Sequence, residues 1–265
     1  MTFQPVIPLS GYTGWRFLQR TLDAQTAAFV DSPVIERATA AFRDRIATVR
    51  TADDLIADRP LLTVALGAFG LDDDIGNTAF LRRILNDGTT ADGALANRLS
   101  DKRYAQFSAA FGFGDAGART ALGGFADGIV ERFERRQFQR AVGAQDDSMR
   151  LALNVAEELG ALADRPGRDD SKWFAIMGSP PLRSVFETAL GLPPSFGRID
   201  IDQQRDAFRD RARTTFGTEK VSDFADPDMQ ERLIRLFLIR SDAGAAATNG
   251  SGASIALSLL RGSAA

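Results

Sequence analysis

Apolar positions along this chain return every three, four or seven residues, the spacing that lines side chains up on one face of an α-helix. Trp15, Leu18, Leu22 and Phe29 make such a face from Gly11 to Val30. Ser32-Pro33 then offers an N-cap followed by proline at the first helical position. Ile35, Ala38, Phe42, Ile46 and Val49 carry the spacing onward, with Glu36, Arg37, Arg43, Asp44 and Arg45 on the polar side. Thr51-Ala52-Asp53-Asp54 reads as the capped start of a short helix through Leu55 and Ile56. Four more apolar faces follow: Phe80, Leu81, Ile84 and Leu85; Tyr104, Phe107 and Phe111 behind Asp101; Phe208, Ala212 and Phe216 behind Asp200 or Asp202; and Met229, Leu233, Leu236 and Phe237 behind Asp226-Pro227. Sustained β alternation is missing; Ile199-Asp200-Ile201 comes nearest and is too short. The predicted class is all-α and multi-helical.

One pattern is used twice. Pro60-Leu61 through Gly70-Leu71 returns as Pro181-Leu182 through Gly191-Leu192, with Pro, Leu, Val, Ala, Gly and Leu at matching places. Each copy reads as a short apolar helix opened by proline and stopped near glycine. Between the copies, Phe125, Ile129 and Phe133, then Leu151, Val155, Leu159 and Leu162, form the longest helical pattern. Gly143 with Asp146-Asp147 allows either one long kinked helix or a pair. The expected organisation is two related halves joined by a long central helix: 1–117 with the first copy, 118–166 for the central helix or helix pair, and 167–241 with the second copy. Residues 242–265 complete it as an Ala/Gly/Ser/Asn-rich flexible linker and a short apolar end.

Composition narrows the chemistry. The 265 residues carry a net charge of −3 with a pI near 5.2, so no basic field favours nucleic acid. No apolar stretch approaches the roughly 20 residues a membrane helix needs, so no membrane insertion is expected. Met1 to Leu9 has neither a basic nor an apolar leader region, which predicts no cleavable secretory signal and a cytoplasmic or flagellum-associated location. There is no cysteine and no histidine. That removes thiolate nucleophiles, the commonest general base and the commonest transition-metal ligands. No catalytic, metal or cofactor-binding residue is assigned, and the expected protein is not an enzyme.

The remaining motifs have structural explanations. Gly112-Phe113-Gly114-Asp115-Ala116-Gly117 fits a dinucleotide-binding spacing, but it follows a predicted helix instead of a strand and reads as a loop. Asp72-Asp73-Asp74 with Asn77 fails a calcium-loop register, because Arg83 stands where an acidic ligand is needed. The arginine-rich run from Glu131 to Arg140 reads as a solvated helix face. Adjacent carboxylates (Asp53-Asp54, Asp146-Asp147, Glu157-Glu158, Asp169-Asp170) point to different helix faces. Ile255, Leu257, Leu259 and Leu260 are the candidate partner-binding tail, able to dock on the body or enter a partner's groove.

Several strings resemble a known family. Gly11-Tyr12 with Trp15, Asp31-Ser32-Pro33-Val34, Leu61-Leu62-Thr63-Val64-Ala65-Leu66 and Ala68-Phe69-Gly70-Leu71 match its first half, with Asn97-Arg98-Leu99-Ser100-Asp101-Lys102-Arg103-Tyr104 continuing. Ser195-Phe196-Gly197-Arg198-Ile199-Asp200 and Leu233-Ile234-Arg235-Leu236-Phe237-Leu238 match its second. The chain is similar to an alphaproteobacterial, all-helical family of unassigned function encoded among flagellar genes and sometimes labelled basal-body rod-like. The resemblance implies a flagellar protein partner and carries over no catalytic or ligand residue. The expected function is therefore a non-enzymatic structural, assembly or regulatory role through protein–protein contacts. A small-molecule or peptide-binding module, or a carboxylate-dependent enzyme, are the alternatives.

Overall fold

The computed structural model describes residues 3–262, with side chains other than those of Pro194 and residues 246–262. Among the described residues there are helices and turns and no strand. The chain divides into two compact units, the first Met1–Val6 with Arg20–Gln145 and the second Ile7–Gln19 with Asp146–Ala265. Helix α1 (Gly11–Val30), predicted with these bounds, is shared between them at Gln19.

The first unit continues with α2 (Pro33–Arg45), α3 (Ala52–Ala57), α4 (Arg59–Gly67), α5 (Thr78–Asp87), α6 (Leu95–Arg98), α7 (Arg103–Phe111) and α8 (Phe125–Gly143). Ser32 holds the N-cap position of α2 but does not cap it; its hydroxyl donates back to the Phe29 carbonyl at 2.6 Å. Thr51 and Asp54 close a reciprocal capping box on α3. The core lies where α4 packs on α2 and α8, with Phe42, Leu62, Leu66 and Phe133 buried. An edge-to-face chain of Phe69, Phe107, Phe111 and Phe125, with centroids 5.2–5.5 Å apart, extends that core to α7.

The second unit adds α9 (Asp147–Ala163), α10 (Asp169–Gly178), α11 (Pro180–Leu190), α12 (Ile201–Phe216) and α13 (Pro227–Gly262). Five successive residues of α9, Leu151 to Val155, are buried, which makes it the central helix of the unit, packed on α11 and α13. Trp173 stands fully buried against Phe186 and Phe208. Lys172 is nine-tenths buried, and its ammonium donates to the Ala163 carbonyl at the end of α9, a favourable place for a cation.

Two expectations are corrected here. A single long central helix does not form. The chain leaves α8 at Ala144, and Asp146 caps α9 by accepting from the Ser148 and Met149 amides, so the alternative of a helix pair is the one realised. Residues 242–254, expected as a flexible linker, are helical in backbone as part of α13. The side chains of the candidate tail, Ile255, Leu257, Leu259 and Leu260, lie outside the described residues.

The repeated pattern corresponds to α4 and α11. Both have proline in the first turn and begin one residue after a preceding helix and its cap, Asp58 and Ser179. A glycine of positive φ follows each, Gly191 (+65°) as the C-cap of α11 and Gly70 (+68°) in the turn after α4 has ended at Gly67, and the next amide reaches back five residues, Leu71 to the Leu66 carbonyl and Leu192 to that of Glu187. The likeness is one of helix start and stop signals.

Candidate functional site

The residues that sequence reasoning marked for chemistry are spread over separate structural tasks. The loop Gly112–Gly117 follows the C-terminus of α7, the negative end of the helix, which disfavours a phosphate. Its Asp115 accepts the Thr89 and Thr90 amides at 2.7 and 2.9 Å and both hydroxyls at 3.0 Å. Gly114 lies so close to the Asn86 carbonyl and the Gly88 amide that the two loops are in backbone contact. Burial opposes ionisation of Asp115, but the four donors outweigh it and hold its carboxyl below the usual range. A carboxyl depressed in the folded state stabilises above its ordinary pKa, and that contribution is lost as pH falls through the folded value. Asp115→Asn is therefore expected to be less stable than wild type at neutral pH, with the gap closing as pH falls through and below the ordinary carboxylate range. Parallel urea melts at several pH values measure this, and a gap independent of pH would refute it.

The acidic turn is equally committed. Asp72 accepts from Gln137 at 2.7 Å and pairs with Arg140 at 2.8 Å, both on α8. Asp74 accepts from Asn77 and, at 2.6 Å, from the Tyr104 hydroxyl. Burial first, then Asp74, pushes the Tyr104 phenol up to about 12. The arginine run is a packed and paired face: Arg132 lies 4.8 Å over the Phe69 ring, and Phe133 and Phe138 turn inward. The adjacent carboxylates separate as their helical spacing required. Asp53 pairs with Arg82 while Asp54 caps; Asp146 caps while Asp147 pairs with Arg150; Asp170 pairs with Arg209. Among the described residues no group of three or more acidic side chains could hold a metal ion.

Two polar nodes carry the strings that had stood out in the sequence. In the first, Asn97 donates to the Thr89 carbonyl at 2.7 Å, and Lys102 donates to the carbonyls of Asn97 and Leu99. Asp101 receives the Arg103 guanidinium through Nε and Nη2, and that same guanidinium donates to the Gly70 carbonyl. In the second node, Glu231 of α13 accepts from Tyr12 at 2.9 Å, Trp15 at 3.2 Å and Gln19 at 3.2 Å, and pairs with Arg16 at 3.5 Å. Those four partners stand at i, i+3, i+4 and i+7, so one carboxylate holds a whole face of α1. Sequence reasoning missed Glu231 because nothing local distinguishes it from a surface glutamate.

A second missed residue is Glu134. It lines a cleft of about 470 Å³ in the first unit together with Val30, Asp31, Glu36, Thr39 and Arg43. Burial raises the Glu134 pKa, Arg43 opposes that, and Glu131 adds to it. Arg43 itself donates to Asp127 at 3.0 Å. The cleft is open and polar, so it offers a surface for a cationic or hydrogen-bonding group without a dry interior that would sharpen electrostatics for catalysis.

The chain is similar to protein AGR_C_984 from Agrobacterium tumefaciens, whose X-ray crystal structure aligns with a TM-score of 0.70 at 25% identity, covering 90% of this chain and 98% of that one. No curated protein matches the sequence. Residues 68–229 match the family described as protein of unknown function, DUF1217. That span takes in Ala68-Phe69-Gly70-Leu71 and the Asn97–Tyr104 node. With well over half its length inside the match, the chain belongs to the DUF1217 family of proteins of unknown function.

Proposed function

We propose that this protein is a non-enzymatic, flagellum-associated structural, assembly or regulatory component that works through protein–protein contacts. One observation carries most of the weight. In the Asn97–Tyr104 string, Asn97, Asp101, Lys102, Arg103 and Tyr104 all direct their polar atoms to partners within the first unit. Polar residues spent on holding a scaffold leave surfaces as the means of action. The flagellar setting comes from the sequence resemblance, and the helical tail carrying Ile255, Leu257, Leu259 and Leu260 is proposed as one partner-binding element. No described helix is long and apolar enough to cross a membrane.

Purification of the tagged full chain from flagellated cells, beside a form lacking Ile255 to Ala265, tests this. A flagellar protein lost on truncation is the expected result; normal flagella and swimming in a gene deletion would remove the proposal. A second reading, a binding module for a small cationic molecule or peptide, is favoured by the acidic cleft at Glu134. Ligand-dependent thermal stabilisation that disappears in Glu134→Gln would support it.

A further inference from the structure

We infer that the second unit carries a docking surface built on Phe174, Ile199 and Ile201, and that its occupant is a partner protein presenting an apolar pocket rimmed by lysine or arginine. This rests on the protein–protein reading above and names a surface through which it operates.

The three residues are exposed by 36%, 42% and 48%, and Ile199 and Ile201 flank Asp200, the cap of α12. Ile201 and Arg205 sit one turn apart on α12, and the Arg205 guanidinium lies over the Phe174 ring, 5.4 Å from its centroid. Elsewhere, scattered single exposed apolar residues such as Leu122 need no explanation.

This presentation is built in. Gln204, 4% exposed, donates through Nε2 to the Ile199 carbonyl at 2.7 Å and accepts from Arg183 Nη2 at 2.6 Å. Asp200 caps α12 by accepting from the amides of Asp202 and Gln203. Phe196 occupies the inner side of the loop, edge-on to Phe208 at 5.2 Å. Tied at these points, the loop holds Ile199 in place, and Ile201 is fixed as the first residue of the capped helix. A surface already held in its binding form loses little entropy on association.

Charge identifies the partner's rim. Asp202 and Asp206 are 63% and 60% exposed, whereas the Arg205 they flank is 20% exposed. Arg198, next to Ile199, is exposed as well, but Asp200, Asp202 and Asp206 outnumber it beside the isoleucines, and a rim with that excess of carboxylates selects a basic one.

The test places a photo-crosslinking amino acid at position 201 of the full chain in flagellated cells. The captured protein is identified, purified and titrated against wild type and variants at low and high salt. Ile201→Ser is expected to weaken binding about tenfold or more. The double variant Asp202→Lys, Asp206→Lys is expected to weaken it several-fold and flatten its salt dependence. Capture of a second copy alone, or an identified partner that binds all variants like wild type, overturns the proposal. If the partner is captured from the tail but never from position 201, this surface falls and the protein–protein reading stands. If neither site captures a partner and the deletion strain swims normally, both fall.

Discussion

Replacing Trp173 with alanine is expected to destabilise the second unit by about 3–5 kcal/mol, the usual cost of truncating a buried aromatic to a methyl. The side chain is fully buried, stacks on Phe208 at 5.9 Å and meets Phe186 edge-on at 5.6 Å. Its indole N–H donates to the Glu219 carbonyl at 2.9 Å, so truncation also strands an acceptor. The void would sit where α10, α11 and α12 converge, and the two phenylalanine rings cannot both move to fill it. Trp173→Phe keeps most of the ring contact and should recover more than half of the loss. The chain has two tryptophans, and both Trp15 and Trp173 belong to the second unit. Indole fluorescence therefore follows this unit by itself during urea unfolding; in the alanine variant Trp15 is the remaining reporter. An alanine variant with an unshifted midpoint would contradict the packing described. Should that variant fail to fold, the phenylalanine variant still gives a measurable midpoint.

Gly67→Ala is expected to destabilise the first unit by about 1–3 kcal/mol, although helix propensity by itself predicts a gain of up to about 1 kcal/mol for this change. Gly67 closes α4, and a β-carbon there would lie 2.7 Å from two atoms of the Phe133 ring and 2.9 Å from the Gln137 amide nitrogen. Phe133 is 4% exposed and has no open side to move toward. Gln137 would be displaced from its bond to Asp72, which loosens the acidic turn as well. Circular dichroism of urea-induced unfolding measures the shift. A stabilised Gly67→Ala variant would mean that α4 and α8 are not in the close contact that glycine permits. Pairing the variant with Phe133→Leu, which makes room for the methyl, should return part of the loss.

These two sites differ in how visible they were beforehand. Trp173 could be recognised as a large aromatic side chain, but its partners could not. Phe186, Phe208 and the Glu219 carbonyl come from three later segments and meet only when those segments pack. Gly67 lay inside the first copy of the repeated pattern with nothing local to single it out. The structure moves its meaning to the face of α8, since the atoms that forbid a side chain belong to residues far away in sequence. The same contrast runs through the polar residues. Helix caps at Thr51, Asp146 and Asp200 were readable because a cap and its amides lie within three residues. Glu231 was not, because its donors come from α1 at the other end of the chain.

What the sequence determined by itself was class and punctuation. The three-and-four spacing specified helices, proline and glycine specified where α4 and α11 start and stop, and the absence of histidine and cysteine restricted the chemistry. Each of these is a local or compositional property, decided within one helical turn or by simple presence. Tertiary structure alone decided that Ile7–Gln19 joins the second unit and that the marked carboxylates disperse into caps and ion pairs. It also decided that Ile199 and Ile201, the nearest approach to a strand pattern, stay exposed on either side of the α12 cap, with the Ile199 carbonyl tied down by Gln204. The physical reason is that burial, pairing and exposure depend on which distant segments arrive at a side chain, and periodicity along the chain records nothing of that arrival.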